Sequence, residues 1–351
     1  MRKKLVNPDM LCMGCMGELP YRGAVCPKCR FNVAAYQRPE NSLPLYEIVN
    51  GKYLLGRVLG IGGFGITYIA WDFYQGKKVC VKEYFPRNVA IRNRGARTYS
   101  ESISVSIDCS QERSMSVESY TKYVEKVRLA YMKGLDAYIQ EAKNLSKYYL
   151  MPGIVSIRDF FYGNNTAYIV MEYIEGMNMR QYAFGKKNEK ISPQEVFLLF
   201  KDVLKALDAV HKDSIIHRDI SPDNIMLTRQ WKAVLIDFGA ARDYGHTKKA
   251  AIQLKQGYAP IEQYSVDGKQ GPWTDVYAIC ASMYNLLTGI RLPSSKDRQK
   301  QDGLQRLQVL GVPVSKEQDD SIRKGMNIEP QERYQSIEEL YQDLYQEPMN
   351  V

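Results

Sequence analysis

Apolar and polar residues alternate through GKYLLGRVLGIGGFGITYIAWD (51–72) on both sides of a glycine-rich centre, and this two-residue period predicts a β-hairpin. KKVCVKEYF (77–85) and SISVSI (102–107) read the same way and predict two more strands. The period changes in LDAYIQEAKNLSKYY (135–149), where Leu135, Tyr138, Ile139, Ala142 and Leu145 form an apolar stripe at helical spacing. An added helix is expected just before it, over VESYTKYVEKVRLAYMKG (117–134). Further on, Ser192, Pro193 and Glu195 form a capping box with proline in the first turn, and Val196, Phe200, Val203, Leu207 and Val210 carry that helix forward. It leads to IIHRDISPDNIML (215–227) and then to AVLIDFG (233–239), an apolar strand ending in Asp237. Residues 33–50, with Pro39, Asn41, Pro44 and Asn50, show little periodicity; a linker is expected over 33–45, with the main folded body beginning near Tyr46.

At 351 residues the chain is long enough for one large bilobal domain with a small appendage. No apolar run approaches the roughly 18 residues that span a bilayer. The opening MRKKLVNPDM is basic but lacks the apolar core of a signal peptide, so a cytoplasmic protein without a membrane partner is expected. A net charge of +9 suits nucleic acid or a membrane surface in principle. The charge is dispersed, however, over MRKK, RNRGAR (92–97) and Lys248–Lys249, which favours a mildly basic surface over a nucleic-acid tract.

Four of the seven cysteines fall in two C-x2-C knuckles, CMGC (Cys12, Cys15) and CPKC (Cys26, Cys29), with Gly14, Gly17 and Gly23 available for tight turns. Four thiolates at this spacing suit tetrahedral zinc, and the segment around 10–32 resembles the zinc-ribbon family. A module this short needs metal to hold a fold. It is expected either to dock a partner or nucleic acid, or to be a stapled mini-domain with no ligand of its own. Paired knuckles close a structural site, which argues against a redox role. Cys80, Cys109 and Cys280 read as small buried hydrophobes.

Gly60, Gly62, Gly63 and Gly65 leave backbone N–H groups free to approach phosphates. A dinucleotide fingerprint would need a helix after the glycines, whereas TYIAWD continues as a strand. Lys82 follows at the end of V-C-V-K, then come HRDISPDN (217–224) and DFG (237–239). In this order the motifs resemble those of the protein kinase family, over about 46–346. The resemblance implies an α+β, bilobal protein-kinase fold. A zinc ribbon (1–32) and linker (33–45) would precede the kinase domain (46–351), with a small antiparallel β lobe carrying one main helix (46–173, insertion 86–133) and a large helical lobe (174–346). The insertion is the expected place for family-specific regulation or partner docking.

Residue by residue, the resemblance implies that Lys82 grips the α and β phosphates of ATP and that Glu141 holds Lys82. Cys80 would pack on the adenine, Thr67 stands where the family usually has valine, Met171 is the gatekeeper, and the backbone of Glu172, Tyr173 and Ile174 meets the adenine edge. Met226 belongs to the same nucleotide-binding set. Asp219 would accept the substrate hydroxyl proton, while Asn224 and Asp237 would ligate magnesium. Asp275 resembles the buried brace of the catalytic loop, Glu262 pairs with Arg333, and Ser336 with Glu339 caps the closing helix.

One position departs from the pattern. Ser221 stands where Ser/Thr kinases carry a lysine, and Lys255 stands where they carry an activation-segment threonine. If the loops pack as in the family, Lys255 restores the missing cation and Ser221 accepts a hydrogen bond from it. Between Gly239 and Gly257 the hydroxyls are Tyr244 and Thr247; Thr247 is the expected autophosphorylation site, with Arg218 as its partner. GYAPIEQY (257–264) gives the chain a prokaryotic flavour. The resulting expectation is an ATP-dependent Ser/Thr protein kinase acting on a protein substrate. The alternative is a pseudokinase or scaffold whose zinc ribbon docks a partner or senses nucleic acid.

Overall fold

A computed structural model describes residues 7–92, 104–108, 116–238, 242–243, 254–265 and 267–349. The chain divides into two compact units, Met1–Tyr149 with Ser156–Tyr173, and Leu150–Val155 with Ile174–Val351.

The first unit is built on β1 (Ile48–Val49), β2 (Tyr53–Ile61), β3 (Gly65–Asp72), β4 (Lys77–Tyr84), β5 (Ala90–Arg92), β6 (Val105–Ile107), β7 (Ile157–Gly163) and β8 (Thr166–Glu172). Six of these form one antiparallel sheet in the order β1-β2-β3-β4-β8-β7, and β5 pairs with β6 as a separate ribbon. The alternation at 51–85 therefore becomes three neighbouring strands. The β3–β4 turn closes on Asp72, whose Oδ1 accepts the N–H groups of Tyr74 (2.8 Å) and Gln75 (2.9 Å).

The two stretches read as an added helix and a main helix are one continuous helix, α1 (Val117–Leu145), capped by Ser116 accepting from the N–H of Ser119. Gly134, which weakens a helix by about 1 kcal/mol, does not break it because a tertiary contact decides. A Cβ there would lie 2.1 Å from the Tyr84 hydroxyl, so only glycine lets α1 seat on β4. The Tyr84 ring lies between Tyr131 and Tyr138, at centroid separations of 5.4 and 5.3 Å.

The expected linker is also built into this unit. The N–H of Leu43 donates to the Tyr68 hydroxyl (2.9 Å), and the N–H of Arg92 donates to the Asn41 side chain (3.0 Å). Both lead to Glu83, fully buried on β4, which receives Tyr68 (3.0 Å), Tyr168 (2.9 Å) and the Arg92 guanidinium. Burial pushes the Glu83 carboxyl above its ordinary value, against the opposing pull of Arg92. The segment lacks a period because hydrogen-bonded turns hold it rather than a repeating apolar face.

In the second unit β9 (Gly176–Asn178), β11 (Ile225–Thr228) and β12 (Ala233–Leu235) form a sheet in the order β12-β11-β9, and β10 (Ile215–Ile216) pairs with β13 (Arg242–Asp243). Its helices are α2 (Met179–Phe184), α3 (Pro193–Lys212), α4 (Pro272–Thr288), α5 (Ser295–Lys300), α6 (Lys316–Gly325) and α7 (Ile337–Tyr345). α3 has the expected capping box, with Ser192 Oγ accepting from Glu195 N–H and Glu195 accepting from Ser192 N–H, and it buries Val196, Phe200, Val203, Leu207 and Val210. α4 is buried at every position from Thr274 to Thr288, as befits a central helix. Cys280 lies on it, fully buried. Cys80, on β4, is only half-buried, and loss of solvation there raises its thiol to about 12; Cys109 is outside the described residues. Among the described residues no helix is long and apolar enough to cross a membrane.

Candidate active site and metal centre

In the first unit the β2–β3 turn carries Gly60, Gly62, Gly63 and Gly65. It closes with Gly62 N–H donating to Gly65 O (2.9 Å) and is tied to the end of β4 by Phe85 N–H donating to Phe64 O (2.8 Å). Lys82, near the C-terminal end of β4, sits opposite Thr67 on β3 and Ile169 on β8, and Cys80 sits opposite Met171. α1 runs past this strand, with the Tyr138 hydroxyl donating to the Lys82 carbonyl (3.1 Å). Glu141, half-buried, is one helical turn beyond Tyr138. β8 ends at Glu172, Tyr173 is the last residue of the first unit and Ile174 begins the longer segment of the second.

In the second unit the HRDISPDN loop hangs on Asp275. This carboxylate, fully buried in the first turn of α4, accepts the N–H groups of His217 (2.7 Å) and Arg218 (2.8 Å) and pairs with His211 Nε2 (2.8 Å). Burial alone would raise it, yet those partners hold Asp275 below the usual carboxylate range. The brace fixes Arg218 at φ 71°, in the left-handed region that a non-glycine residue enters only under constraint. Asp237 has the same kind of backbone, with φ 66°. Asn224 Nδ2 donates to both the Oδ2 and the carbonyl of Asp219 (2.8 Å each), and its own carbonyl accepts Ile236 N–H (2.9 Å), one residue from Asp237. The structure thus gathers Asp219, Asn224 and Asp237 around two short loops. Met226 lies on β11, opposite Asn178 of β9. Burial pushes the Asp219 carboxyl up and the charge of Lys255 opposes it; burial pushes His217 down.

The Lys255 ammonium donates to Ser221 Oγ (2.7 Å) and pairs with Asp223 (3.1 Å). Asp223 is held from its other side by Arg180 of α2 (2.8 Å), which also donates to the Tyr258 hydroxyl (2.9 Å). Although burial opposes it, Lys255 and Arg180 hold the Asp223 carboxyl below its ordinary value. Sequence reasoning missed Asp223 and Arg180, whose roles rest on contacts between distant segments. The one available signal was an acidic residue beside the position left without its lysine. Glu262 and Arg333 form a buried two-bond pair (2.9 and 3.2 Å). Ser336 caps α7 by accepting from Glu339 N–H. Thr247, Tyr244 and the neighbouring Lys248 and Lys249 lie outside the described residues.

Cys12, Cys15, Cys26 and Cys29 bring their sulfurs within 4.8 Å of one another. Cys12–Cys29 and Cys15–Cys26 are separated by 3.6 and 3.8 Å. A tetrahedron with metal–sulfur bonds of about 2.3 Å has edges of about 3.8 Å, so the set fits a zinc-sized ion. Gly14 N–H points at the Cys12 sulfur (3.3 Å). Burial raises the Cys12 and Cys15 thiols above their ordinary value, whereas at Cys26 the backbone N–H groups of Cys29 and Lys28 outweigh burial and lower the thiol to about 7.

A glycine-rich hairpin, a strand lysine beside a long helix and a carboxylate–amide loop braced by a buried aspartate are the parts of a phosphoryl-transfer catalyst of the kinase class. The protein kinase domain family matches residues 110–346, and the chain belongs to the protein kinase family. It is 27% identical to a probable serine/threonine-protein kinase of Streptomyces coelicolor (84% of this chain, 40% of that one). It is 28% identical to serine/threonine-protein kinase B of Synechocystis (90% and 49%). The chain therefore spans about half or less of the length of these curated relatives. Among solved structures, PpkA-294 in its apo form is 31% identical with a TM-score of 0.68, over 87% of this chain and 99% of that one. The Mycobacterium tuberculosis PknI kinase domain, at 18% identity and a TM-score of 0.59, shares the fold.

Proposed function

We propose that the chain is an ATP-dependent Ser/Thr protein kinase that transfers the γ-phosphoryl group to a protein hydroxyl, in the cytoplasm. The observation that carries this reading is the loop where Asn224 holds Asp219 by its side chain while Lys255 brings an ammonium to the neighbouring Ser221. Asp219 would accept the proton of the incoming hydroxyl. Lys255, clamped by Asp223 and Arg180, would stabilise the charge developing on the transferred group, the role of the family's catalytic-loop lysine. Lys82, held by Glu141, would grip the α and β phosphates. Gly60, Gly62, Gly63 and Gly65 would cover them with backbone N–H groups. Thr67, Cys80, Met171, Met226 and the backbone of Glu172, Tyr173 and Ile174 would receive the adenine. Asn224 and Asp237 would hold magnesium, which when bound neutralises phosphate charge. Cys12, Cys15, Cys26 and Cys29 would hold structural zinc.

Thr247 is the proposed autophosphorylation site. Intact-mass measurement after incubation with magnesium and ATP tests the reading: wild type gains phosphate, Thr247→Ala gains less and Asp219→Asn gains none. An unmodified wild type that also leaves added protein substrates unmodified would contradict it.

A further inference from the structure

The four-cysteine module does not stand apart from the nucleotide lobe. Leu11, Met13 and Met16, from the first knuckle and its flanks, share one buried cluster with Leu54 of β2 and Ile69 of β3. They meet the sheet at an irregularity: β2 pairs with β3 at Leu55↔Ala70 and resumes at Val58↔Tyr68, leaving Gly56 and Arg57 bulged out of the ladder. Both knuckles hold this bulge. From the first, Met13 O accepts Arg57 N–H (2.8 Å) and Gly14 O accepts Arg57 Nε (3.0 Å). From the second, the chain leaves Cys26 through Phe31, whose carbonyl accepts Cys26 N–H (3.0 Å) and whose ring meets Tyr36 at 5.3 Å. The Tyr36 hydroxyl then accepts Val58 N–H (3.1 Å). Gly56 makes the close approach possible, since a Cβ there would lie 2.3 Å from Met13 O and 2.4 Å from Met16 Cε. Two residues past Val58 the strand enters Gly60 and the glycine-rich turn.

We infer that the cysteine module acts within the chain as a metal-dependent clamp on the strand entering the glycine-rich turn, so that loading a zinc-class ion raises nucleotide affinity. A module of this size loses its fold without metal. Met13, Gly14 and Tyr36 then no longer present their acceptors to Arg57 and Val58, and the bulge is free to slip in register. The glycine turn follows, because its position is set by where β2 ends. Coupling between sites is reciprocal, so bound nucleotide must also raise the affinity for the metal by the same factor.

The test uses the full chain in reducing buffer, metal-loaded and chelator-stripped, with the loaded variants Gly56→Ala and Tyr36→Phe. The probe is a non-hydrolysable ATP analogue, and amide exchange is followed over residues 54–67. Stripping is expected to weaken analogue binding about tenfold, within the range usual for coupled sites, and to speed exchange at Arg57 and Val58. Gly56→Ala should do the same while keeping its metal, which separates displacement of the module from global unfolding of a stripped chain. Tyr36→Phe, which keeps the ring and removes only the acceptor, should weaken binding by a smaller factor in the same direction. Unchanged analogue affinity in the stripped chain, or in both loaded variants, would overturn the clamp, as would unchanged exchange over 54–67. A loaded wild type that binds no nucleotide would count against the kinase reading instead, and the exchange measurement would still decide whether the clamp exists.

Discussion

Replacing Lys255 by methionine keeps most of the length of the side chain and removes its charged end. In the wild type the ammonium sits 2.7 Å from Ser221 Oγ and 3.1 Å from Asp223, and its field lowers the Asp219 carboxyl against burial. A hydrogen bond to a charged group contributes about 1.5–3 kcal/mol. If Lys255 applies that interaction to the transferred group, kcat should fall roughly 10- to 150-fold with KM for ATP little changed, because the contact is made in the transition state. Ser221→Lys with Lys255→Thr returns the cation to the catalytic loop and should recover much of the loss, whereas Ser221→Ala should cost less than Lys255→Met. The assay is steady-state transfer to a generic basic protein at varied ATP. Wild-type kcat in Lys255→Met, or a double variant no faster than Lys255→Met, would refute the exchange.

Three further outcomes concern Asp219, the Glu262–Arg333 pair and the seat of α1 on β4. Since burial raises Asp219 and the base must be ionised, kcat/KM should fall on acidification at a pH above the ordinary aspartate pKa of about 3.9, and Lys255→Met should move that limb higher still; a pH profile whose limb moves lower contradicts the assignment. Arg333→Met leaves Glu262 buried and uncompensated and should lower unfolding free energy by about 3–5 kcal/mol in denaturant titration, with a loss below about 1 kcal/mol ruling out a structural anchor. Gly134→Ala would stabilise an open helix by about 1 kcal/mol, but against Tyr84 it should destabilise by about 1–3 kcal/mol; Tyr84→Phe, lacking the obstructing hydroxyl, should restore part of it in thermal unfolding.

Local periods were legible in the sequence. The hairpin at 51–72, the strand around Lys82 and the capped helix at 193–212 appear where alternation and capping put them, because each is decided by residues a few positions apart. The motifs around Asp219, Asn224 and Asp237 were visible for the same reason. What was hidden depends on distant partners. α1 runs through Gly134 because of Tyr84, and the aperiodic 33–45 segment is held by Tyr68 and Arg92. The cysteine module settles on a bulge that the alternation of β2 gives no sign of. The hydrogen bond between Lys255 and Ser221 is an intermediate case: two residue types in each other's places point to it, but its clamp through Asp223 and Arg180 joins segments far apart in the chain.

The central claim is that the HRDISPDN and DFG loops carry out phosphoryl transfer despite the serine at 221. The most direct test is transfer of label from γ-labelled ATP to a generic basic protein by wild type, Asp219→Asn and Asp237→Asn. Incorporation by wild type alone, lost in both variants while their unfolding transitions stay unchanged, is the predicted result. Equal incorporation by all three, or none by a magnesium-supplied, metal-loaded wild type, would contradict it.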